Sequence, residues 1–297
     1  MLLKTYKFKT MLNIERVSFL QFDDNKIKEL QKIEFDMLEC FIEICEKENL
    51  TYFVLGGTTL GSVRHKGFIP WDDDVDVGMP REDYDKFLNI AHNYLPENYF
   101  LQSHLTDRNY PLNFAKIRNS STTLIENQYR NIKMNHGVYI DVFPLDGYPS
   151  KRFEQLLANV LNKALTRRTS LCYAGPSFRK PKSLLVALGL CVLIPNYQTG
   201  VKLKDKFMSR YKYSASELVI NYSGLYGLKE MMPKSYFGKG KIGEFNGREV
   251  VLPEKTEEYL TQLYGDYMTP PPIEKRGKHH NFAVFDKENT YINYIQK

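Results

Sequence analysis

Apolar and polar residues alternate along the chain in two patterns, one helical and one extended. From residue 24 to about residue 49, apolar side chains recur at helical spacing after Asp24, a suitable N-cap, which predicts one long amphipathic helix. Residues 51–55 are β-branched and aromatic, which predicts a buried strand. By the same criteria we expect helices at 58–65 and 81–95 and strands at 75–79, 99–102, 112–117, 122–125 and 137–143.

After Pro149 the pattern changes, and residues 153–172 and 183–194 predict helices with basic residues around them. Two interpretations of this region remain open. It is either a buried pair of helices with solvated basic side chains or a helical region that rests on an anionic membrane. The basic residues concerned are Arg167, Arg168, Arg179, Lys180, Lys182, Lys202, Lys204 and Lys206.

The last part of the chain predicts a hairpin over 242–252, because Asn246-Gly247 is a strong turn signal, followed by a helix that ends at Gly265. The elements together predict an α+β (mixed α/β) fold, in which a mixed sheet has flanking helices and an inserted helical region. We divide the chain into an N-terminal extension (1–22), a core (23–149), a helical region (150–235) and a C-terminal hairpin, helix and tail (236–297).

Charge and cysteine usage restrict the class of partner. The 297 residues carry a net charge of +6 with a pI near 8.9, which favours anionic partners such as nucleotides, polyphosphates or an acidic membrane surface. No arginine-rich tract or nucleic-acid-binding motif occurs in the sequence, so we expect no nucleic-acid partner. The four cysteines lack metal-ligand spacing and predict reduced thiols in a cytoplasmic protein. No apolar run reaches the roughly 20 residues of a membrane span, so any membrane contact is expected to be peripheral, at the inner face.

Candidate chemistry is concentrated at residues 72–76, where four aspartates occupy five positions. Crowded carboxylates repel one another unless cations lie between them. We expect Asp74 and Asp76 to leave one face of a strand with Cα atoms roughly 6.6 Å apart, which lets them share divalent ions. Oxygen ligands favour Mg²⁺ or Mn²⁺, and we expect two ions. An EF-hand is excluded because Val77 stands where that loop needs glycine and Asp83 where it needs glutamate.

Two further features indicate the same kind of site. Asp141 is a lone acid in an apolar strand, where it either faces a cation or forms a salt bridge to a core arginine. Gly56-Gly57 lies between a strand and a helix, and the N–H groups of a helix N-terminus bind anions such as phosphate. These features predict a metal-dependent site that handles phosphate groups.

Several blocks of sequence also carry a family resemblance. The most specific is Gly56-Gly57-Thr58 with residues 64–76, Arg-His-Lys-Gly-Phe-Ile-Pro-Trp-Asp-Asp-Asp-Val-Asp. The other blocks are Lys116-Ile117-Arg118 with Thr122-Thr123, residues 139–147 (Tyr-Ile-Asp-Val-Phe-Pro-Leu-Asp-Gly), and residues 264–268 (Tyr-Gly-Asp-Tyr-Met) with Pro271-Pro272, Arg276 and His279-His280. Over roughly residues 25–282 the chain resembles the LicD family of phosphotransferases, to which fukutin-related protein is also related.

The resemblance implies a nucleotidyltransferase-like core in which Asp74, Asp76 and Asp141 hold magnesium and are the catalytic acids. Asp141 is then the candidate to take the acceptor proton. The implied reaction moves a phospho-alcohol, typically phosphocholine, from a CDP-linked donor such as CDP-choline to a hydroxyl of a cell-surface glycan or lipid-linked sugar (lipopolysaccharide, capsule or teichoic acid), and releases CMP. Region 150–235 would face the acceptor or a membrane, and region 236–297 would complete the site.

The residues predicted to bind substrate phosphates are Gly56, Gly57, Thr58, Arg64, Lys66, Lys116, Arg118, Arg276, His279 and His280. Lys116 and Arg118 share one strand face and, without the resemblance, would indicate a solvated edge. Arg64 either clamps the diphosphate or balances the neighbouring acids. Trp71 is expected to anchor the acidic loop by packing.

Two other functions remain open at this point. A true nucleotidyltransferase would use the same carboxylates to act on a small hydroxylated acceptor, and would release pyrophosphate from a nucleoside triphosphate. An inactive relative would bind a nucleotide or polyanion without turnover. The products of the reaction separate these alternatives.

Overall fold

A computed structural model describes residues 24–174, 189, 191–194, 196–276 and 281–295. The helices are α1 (Asp24–Glu48), α2 (Gly56–His65), α3 (Arg81–Ile90), α4 (Arg152–Ala174), α5 (Tyr197–Met208), α6 (Thr256–Tyr264) and α7 (Ile292–Ile295). The strands are β1 (Phe53–Val54), β2 (Asp76–Pro80), β3 (Tyr99–Gln102), β4 (Ala115–Asn119), β5 (Thr123–Glu126), β6 (Val138–Tyr148), β7 (Leu218–Ile220), β8 (Met231–Pro233), β9 (Lys241–Phe245), β10 (Arg248–Leu252) and β11 (Phe282–Asp286). Short 3-10 turns lie at Ala91–Asn93, Gly227–Glu230, Lys234–Tyr236 and Ile273–Lys275.

A seven-stranded mixed sheet forms the centre of the fold, which confirms the predicted α+β class. Its main path is β1-β2-β6-β4-β3, and β7 and β8 continue from the far end of β6. The β2–β6 pair is parallel, whereas the other pairs in this sheet are antiparallel. Two smaller sheets pair β9 with β10 and β5 with β11.

Helix α1 covers the sheet with the apolar face that the sequence predicts. Leu30, Met37 and Phe41 on this helix are fully buried and belong to the main hydrophobic cluster, together with Val77 of β2 and Ile140 of β6. Residues three or four positions apart lie on the same face of a helix, so the polar positions between them remain outside this core.

Strand β6 is longer than the predicted strand, which ends at Phe143. Pro144 suggests a strand end because proline has no N–H for a ladder. In the structure β4 pairs with β6 only as far as Val142, and β7 begins its pairing at Asp146. Pro144 therefore falls between two partner strands on that edge, where its missing N–H breaks no ladder, and the strand continues to Tyr148.

Other boundaries differ by a few residues from those expected, because tertiary pairing decides them. Strand β1 is limited to two residues, and α3 ends at Ile90 before a 3-10 turn. The predicted hairpin is confirmed: Asn246 and Gly247 have φ values of 52° and 83°, as a two-residue turn with both central residues left-handed requires. Gly265 ends α6 with a φ of 74°.

Strands as well as helices join the helical region (150–235) to the core. Helix α4 is confirmed close to its predicted bounds, and β7 and β8 of the same region extend the central sheet. The predicted helix 183–194 lies mostly outside the described residues, as do Arg179, Lys180, Lys182 and residues 1–22. Among the described helices we find none with the length and apolar character of a membrane span. Cys45 is buried, Cys40 and Cys191 are partly buried, and all three are free thiols.

Candidate active site

Strand register aligns three charged side chains across the central sheet. In the parallel β2–β6 pair Asp76 is opposite Asp141, and in the antiparallel β6–β4 pair Asp141 is opposite Lys116. Residues opposite one another on neighbouring strands point to the same face, and neighbouring strands lie about 4.8 Å apart. The carboxylates of Asp76 and Asp141, which are 65 residues apart in sequence, therefore lie side by side at one cavity wall.

Lys116 contacts Asp141 directly. Its Nζ lies 2.6 Å from Asp141 Oδ1, both side chains are buried, and the ammonium also lies over the Tyr139 ring at 3.3 Å. This answers two open questions from the sequence. The partner of Asp141 is a lysine rather than a core arginine, and Lys116 lies in the interior rather than at a solvated edge.

The acidic loop brings three more carboxylates together. Oxygen atoms of Asp72, Asp73 and Asp74 all lie within 4.8 Å of one another. The expectation that Asp74 and Asp76 share a strand face was wrong in one respect, because β2 begins at Asp76 and leaves Asp74 in the loop. Gln31 of α1 holds this loop by donating to the backbone oxygen of Asp72 at 2.9 Å. Asp72 and Asp73 were not among the predicted ligands.

The two glycines at the start of α2 make room for these acids. A Cβ atom at Gly57 would lie 2.7 Å from Asp72 Oδ2, and one at Gly56 would lie 3.3 Å from Asp76 Oδ2. Gly56 also has a φ of 49°, a region that non-glycine residues rarely adopt. Thr58 is buried, and its Oγ1 accepts the backbone N–H of Asp76 at 2.9 Å. Thr58 therefore positions the acid and does not line the cavity, whereas Gly56 and Gly57 do.

A Gly57→Ala substitution is expected to weaken turnover by about tenfold or more, because the new methyl group must displace the Asp72 carboxylate. Gly200→Ala is the matched control, since its Cβ would meet its nearest atom, Arg168 Cγ, at an ordinary 3.5 Å. Titration of Mn²⁺ and the magnesium dependence of turnover are the measurements. Equal metal affinity in the Gly57→Ala protein and the wild type would contradict this role for Gly57.

The acids open into a cavity of about 1020 Å³. Pockets for small-molecule ligands usually measure about 300–1,000 Å³, so this one can hold a nucleotide-linked donor with room for a second group. The wall next to the acidic loop and α2 contains Arg64, Trp71, Asp72, Tyr264, Asp266 and Tyr267, and the wall from the helical region contains Asn162, Lys163, Thr166, Arg167, Lys204 and Glu230.

Arg64 and Trp71 line the cavity, and Arg276 packs against Trp71. Arg64 Nη1 donates to the Tyr267 backbone oxygen at 2.7 Å, while burial and the nearby Arg276 lower the pKa of Arg64. The Arg276 guanidinium lies 4.5 Å from the Trp71 ring centre and donates to the Pro271 oxygen at 2.8 Å. Trp71 thus forms part of the cavity wall and stacks against a cation, beyond its expected packing role.

Four of the predicted phosphate ligands do not line the cavity in the described structure, and one of them, Arg118, requires a correction. Arg118 is 1% exposed and donates to Gln102 Oε1 at 2.5 Å and to the Gly137 oxygen at 2.7 Å, so its guanidinium is committed to the core. Lys66 is exposed at the end of α2, where its left-handed conformation closes the helix. The other two are Thr58 and Arg276, whose contacts are described above. His279 and His280 lie outside the described residues.

Sequence reasoning missed the part of the site that comes from distant segments. Burial raises the pKa of Glu230 to about 7, and burial lowers the pKa of Lys204 to about 8. Both side chains line the cavity, but neither belongs to a motif that marks it. Only the basic cluster around Lys204 was visible in the sequence, without any sign that this lysine faces inward.

Comparison with known proteins finds sequence similarity over most of this chain. The family described as LicD/FKTN/FKRP, nucleotidyltransferase domain, matches residues 49–196. The lipopolysaccharide cholinephosphotransferase LicD of Haemophilus influenzae is 31% identical over 264 residues, which cover 86% of this chain and 96% of the relative. An uncharacterised protein of Rickettsia typhi is 48% identical over 48 residues (16% of each chain), and one of Rickettsia prowazekii is 51% identical over 41 residues (14% of this chain and 15% of the relative).

These similarities define the protein as a phosphotransferase. The chain belongs to the LicD family, as the resemblance of its motifs indicates.

Proposed function

We propose that this phosphotransferase moves phosphocholine from CDP-choline to a hydroxyl of a cell-surface glycan or lipid-linked sugar, with Mg²⁺ at the carboxylate cluster and CMP as the second product. The H. influenzae relative is named for cholinephosphate transfer to lipopolysaccharide, and it aligns with most of this chain. The observation that carries the proposal is the pairing of Asp76 with Asp141 beside the carboxylates of residues 72–74.

The carboxylates fit a hard divalent cation. They offer only oxygen atoms, and those of Asp72, Asp73 and Asp74 lie close enough together to share an ion. Asp76 and Asp141 line the same cavity and would complete a two-ion site, as Mg²⁺ or Mn²⁺. The bound metal would neutralise the donor's diphosphate and the charge that develops during transfer.

The side chains of the protein supply the remaining functions. A new bond forms between the acceptor oxygen and the phosphorus of phosphocholine, and the bond from that phosphorus to the CMP oxygen breaks. Asp141 takes the hydroxyl proton, while Lys116 holds this carboxylate in place through its 2.6 Å contact. Arg64 lines the cavity beside Asp72 and supplies positive charge for the departing CMP phosphate.

The reaction products test the proposal. We expect the purified protein with Mg²⁺ to release CMP slowly from CDP-choline without an acceptor, and EDTA to abolish the release. CDP-ethanolamine, CDP-glycerol and CDP-ribitol serve as competing donors that identify the alcohol. Pyrophosphate release from a nucleoside triphosphate would instead identify a nucleotidyltransferase. Failure of every donor would leave nucleotide or polyanion binding without turnover as the function.

We also propose that the outer face of α4 contacts an anionic membrane at the cytoplasmic side. Phe153, Leu156 and Val160 are exposed at helical spacing, and Lys151 and Arg152 lie beside them. An apolar stripe flanked by basic residues is typical of a helix that lies in a membrane interface. The second half of α4 lines the cavity, so this contact would bring a lipid-linked acceptor close to the site.

Replacing Phe153 and Leu156 by Glu is expected to reduce co-sedimentation with phosphatidylglycerol vesicles at least about tenfold, because the apolar face no longer enters the lipid. Leu105→Glu is the control, since Leu105 is equally exposed but lies outside α4. Neutral phosphatidylcholine vesicles should bind the wild type weakly. Equal binding of the wild type to both kinds of vesicle, or to neither, would exclude this membrane contact.

A further inference from the structure

The cavity wall also contains a buried cation to which no function has been assigned so far. Lys204 of α5 is 5% exposed and lines the cavity. It forms no hydrogen bond or ion pair with any residue that the structure describes. Burial lowers its pKa to about 8, and no carboxylate among these residues offsets that effect. Burying an unpaired ammonium group is costly, so its retention on a cavity wall indicates that an anion is bound there.

Polar atoms of α4 that line the same cavity also lack partners. Arg167 Nε and Nη2 are buried and have no hydrogen-bond partner within the described part of the chain, and the same holds for Asn162 Oδ1. Both residues line the cavity that Lys204 lines. The Nε–Nη2 edge of a guanidinium is the edge that binds a carboxylate or phosphate through two parallel hydrogen bonds. Unsatisfied buried groups of this kind require a ligand or ordered water.

The packing of α4 against α5 shows which turn of α4 lies opposite Lys204. A Cβ atom at Gly200 would lie 3.5 Å from Arg168 Cγ. About two turns further along α5, Met208 packs in one cluster with Ala158 of α4. The two helices are therefore antiparallel. Lys204 lies midway between these contacts and faces the turn of α4 that contains Asn162.

A short segment of chain connects α5 with the acids that we assign to the metal. Asn113 Nδ2 donates to the Val201 backbone oxygen at 2.7 Å and ties α5 to the chain before β4. Three residues further along that chain, Lys116 contacts Asp141. Three extended residues span at most about 10 Å, so a single substrate can reach from α5 to Lys116 and Asp141.

We propose that Lys204 and Arg167 form an oxyanion-binding subsite that holds a phosphate or carboxylate group carried by the acceptor. The assignment of this group to the acceptor rests on the proposed function, whereas the presence of an oxyanion subsite does not. An acceptor with a negative substituent near the hydroxyl that is modified would contact the Lys204–Arg167 subsite through that substituent and Asp141 through the hydroxyl. A neutral sugar would leave the ammonium of Lys204 buried without a partner.

Thermal unfolding with inorganic phosphate in EDTA tests the subsite without any turnover. Without a divalent ion the carboxylates of residues 72–76 repel phosphate, so stabilisation reports cationic groups of the cavity, and the variants below assign it to Lys204. At tenfold the dissociation constant we expect the midpoint of wild-type unfolding to rise by about 2 °C, measured against chloride at equal ionic strength. Acetate in a parallel titration shows whether carboxylate is accepted as well as phosphate.

The variants Lys204→Met and Lys206→Met provide the matched pair. Lys206 is an exposed lysine on the same helix, so its variant should keep the phosphate response, whereas Lys204→Met should lose it. Lys204→Met should also unfold at a higher temperature than the wild type without phosphate, because a buried unpaired charge is removed. A phosphate response that persists in Lys204→Met, or that is absent from the wild type, would overturn the proposal.

Competition with the donor decides which substrate the subsite serves. With Mg²⁺ and saturating CDP-choline, stabilisation by phosphate should add to stabilisation by the donor if the two bind separately. Loss of the phosphate response in the presence of CDP-choline would assign Lys204 to the donor and overturn the acceptor assignment. A lack of response to CDP-choline itself would count against the proposed function and leave the phosphate result standing.

Discussion

Asp76→Asn is expected to lower magnesium-dependent CMP release by about 10²–10³-fold, the largest loss of activity that we expect from a single isosteric change. Asp76 is the acid that the parallel β2–β6 register sets beside Asp141, and its backbone N–H is fixed by Thr58. An amide keeps the shape of the side chain but removes the charge that a divalent ion needs. The folded state should be little affected, because Asp76 is only partly buried.

Two measurements belong with this prediction. Titration of Mn²⁺ should show a weaker or missing ion, and the rate of CMP release should not recover fully at high magnesium. Asp36→Asn is the control, since Asp36 is an exposed acid on α1. Wild-type affinity for Mn²⁺ together with wild-type turnover in Asp76→Asn would remove Asp76 from the mechanism.

Asp141 needs a different variant because it also balances a buried charge. Asp141→Asn leaves the ammonium of Lys116 without its carboxylate, and breaking a buried ion pair costs about 3–5 kcal/mol. Loss of activity in this variant alone would therefore be ambiguous. In the double variant Asp141→Asn with Lys116→Met the stability should return while CMP release stays low, as a direct role of Asp141 in the reaction requires.

Local sequence was enough for the parts of the site that are contiguous. The apolar strand before Gly56, the acidic loop and the strand around Asp141 each have a recognisable pattern, and each is present where the pattern places it. The register between paired strands could not be predicted from the sequence in the same way. Asp76 meets Asp141 and Lys116 only because three particular strands pair in one particular order.

Burial explains most of the remaining differences. Lys116 and Arg118 share a strand face as expected, but that face is covered, so one lysine pairs with Asp141 and the arginine with Gln102 and the Gly137 oxygen. Alternating charges on a strand look the same in sequence whether the face is open or closed. Lys204 shows the same limit in a helix, where one of several basic residues points inward because of packing between segments far apart in the chain.

A buried ion pair outside the cavity is expected to affect stability as strongly as the Lys116–Asp141 pair. Arg81, the first residue of α3, donates to Asp146 of β6 through Nε at 2.7 Å and Nη2 at 2.9 Å, and Asp146 is 0% exposed. Nη1 of the same arginine lies 3.2 Å from Asp205 of α5. The guanidinium therefore joins the core sheet, α3 and the helical region that carries Lys204.

Arg81→Met is expected to destabilise the protein by about 3–5 kcal/mol, which lowers the unfolding midpoint by about 5–8 °C, because it leaves the carboxylate of Asp146 buried without its partner. Lys86→Met is the control: the ammonium of Lys86 lies 3.9 Å from Glu48 at the surface, and such pairs contribute about 0–1 kcal/mol. The double variant Arg81→Met with Asp146→Leu should recover most of the loss, since an apolar pair of similar volume needs no desolvation of charge. If the double variant remained as unstable as Arg81→Met, the contact with Asp205 and the position of α5 would be the main contribution of Arg81. The phosphate response of the Lys204 subsite should then weaken as well, because α5 carries that lysine.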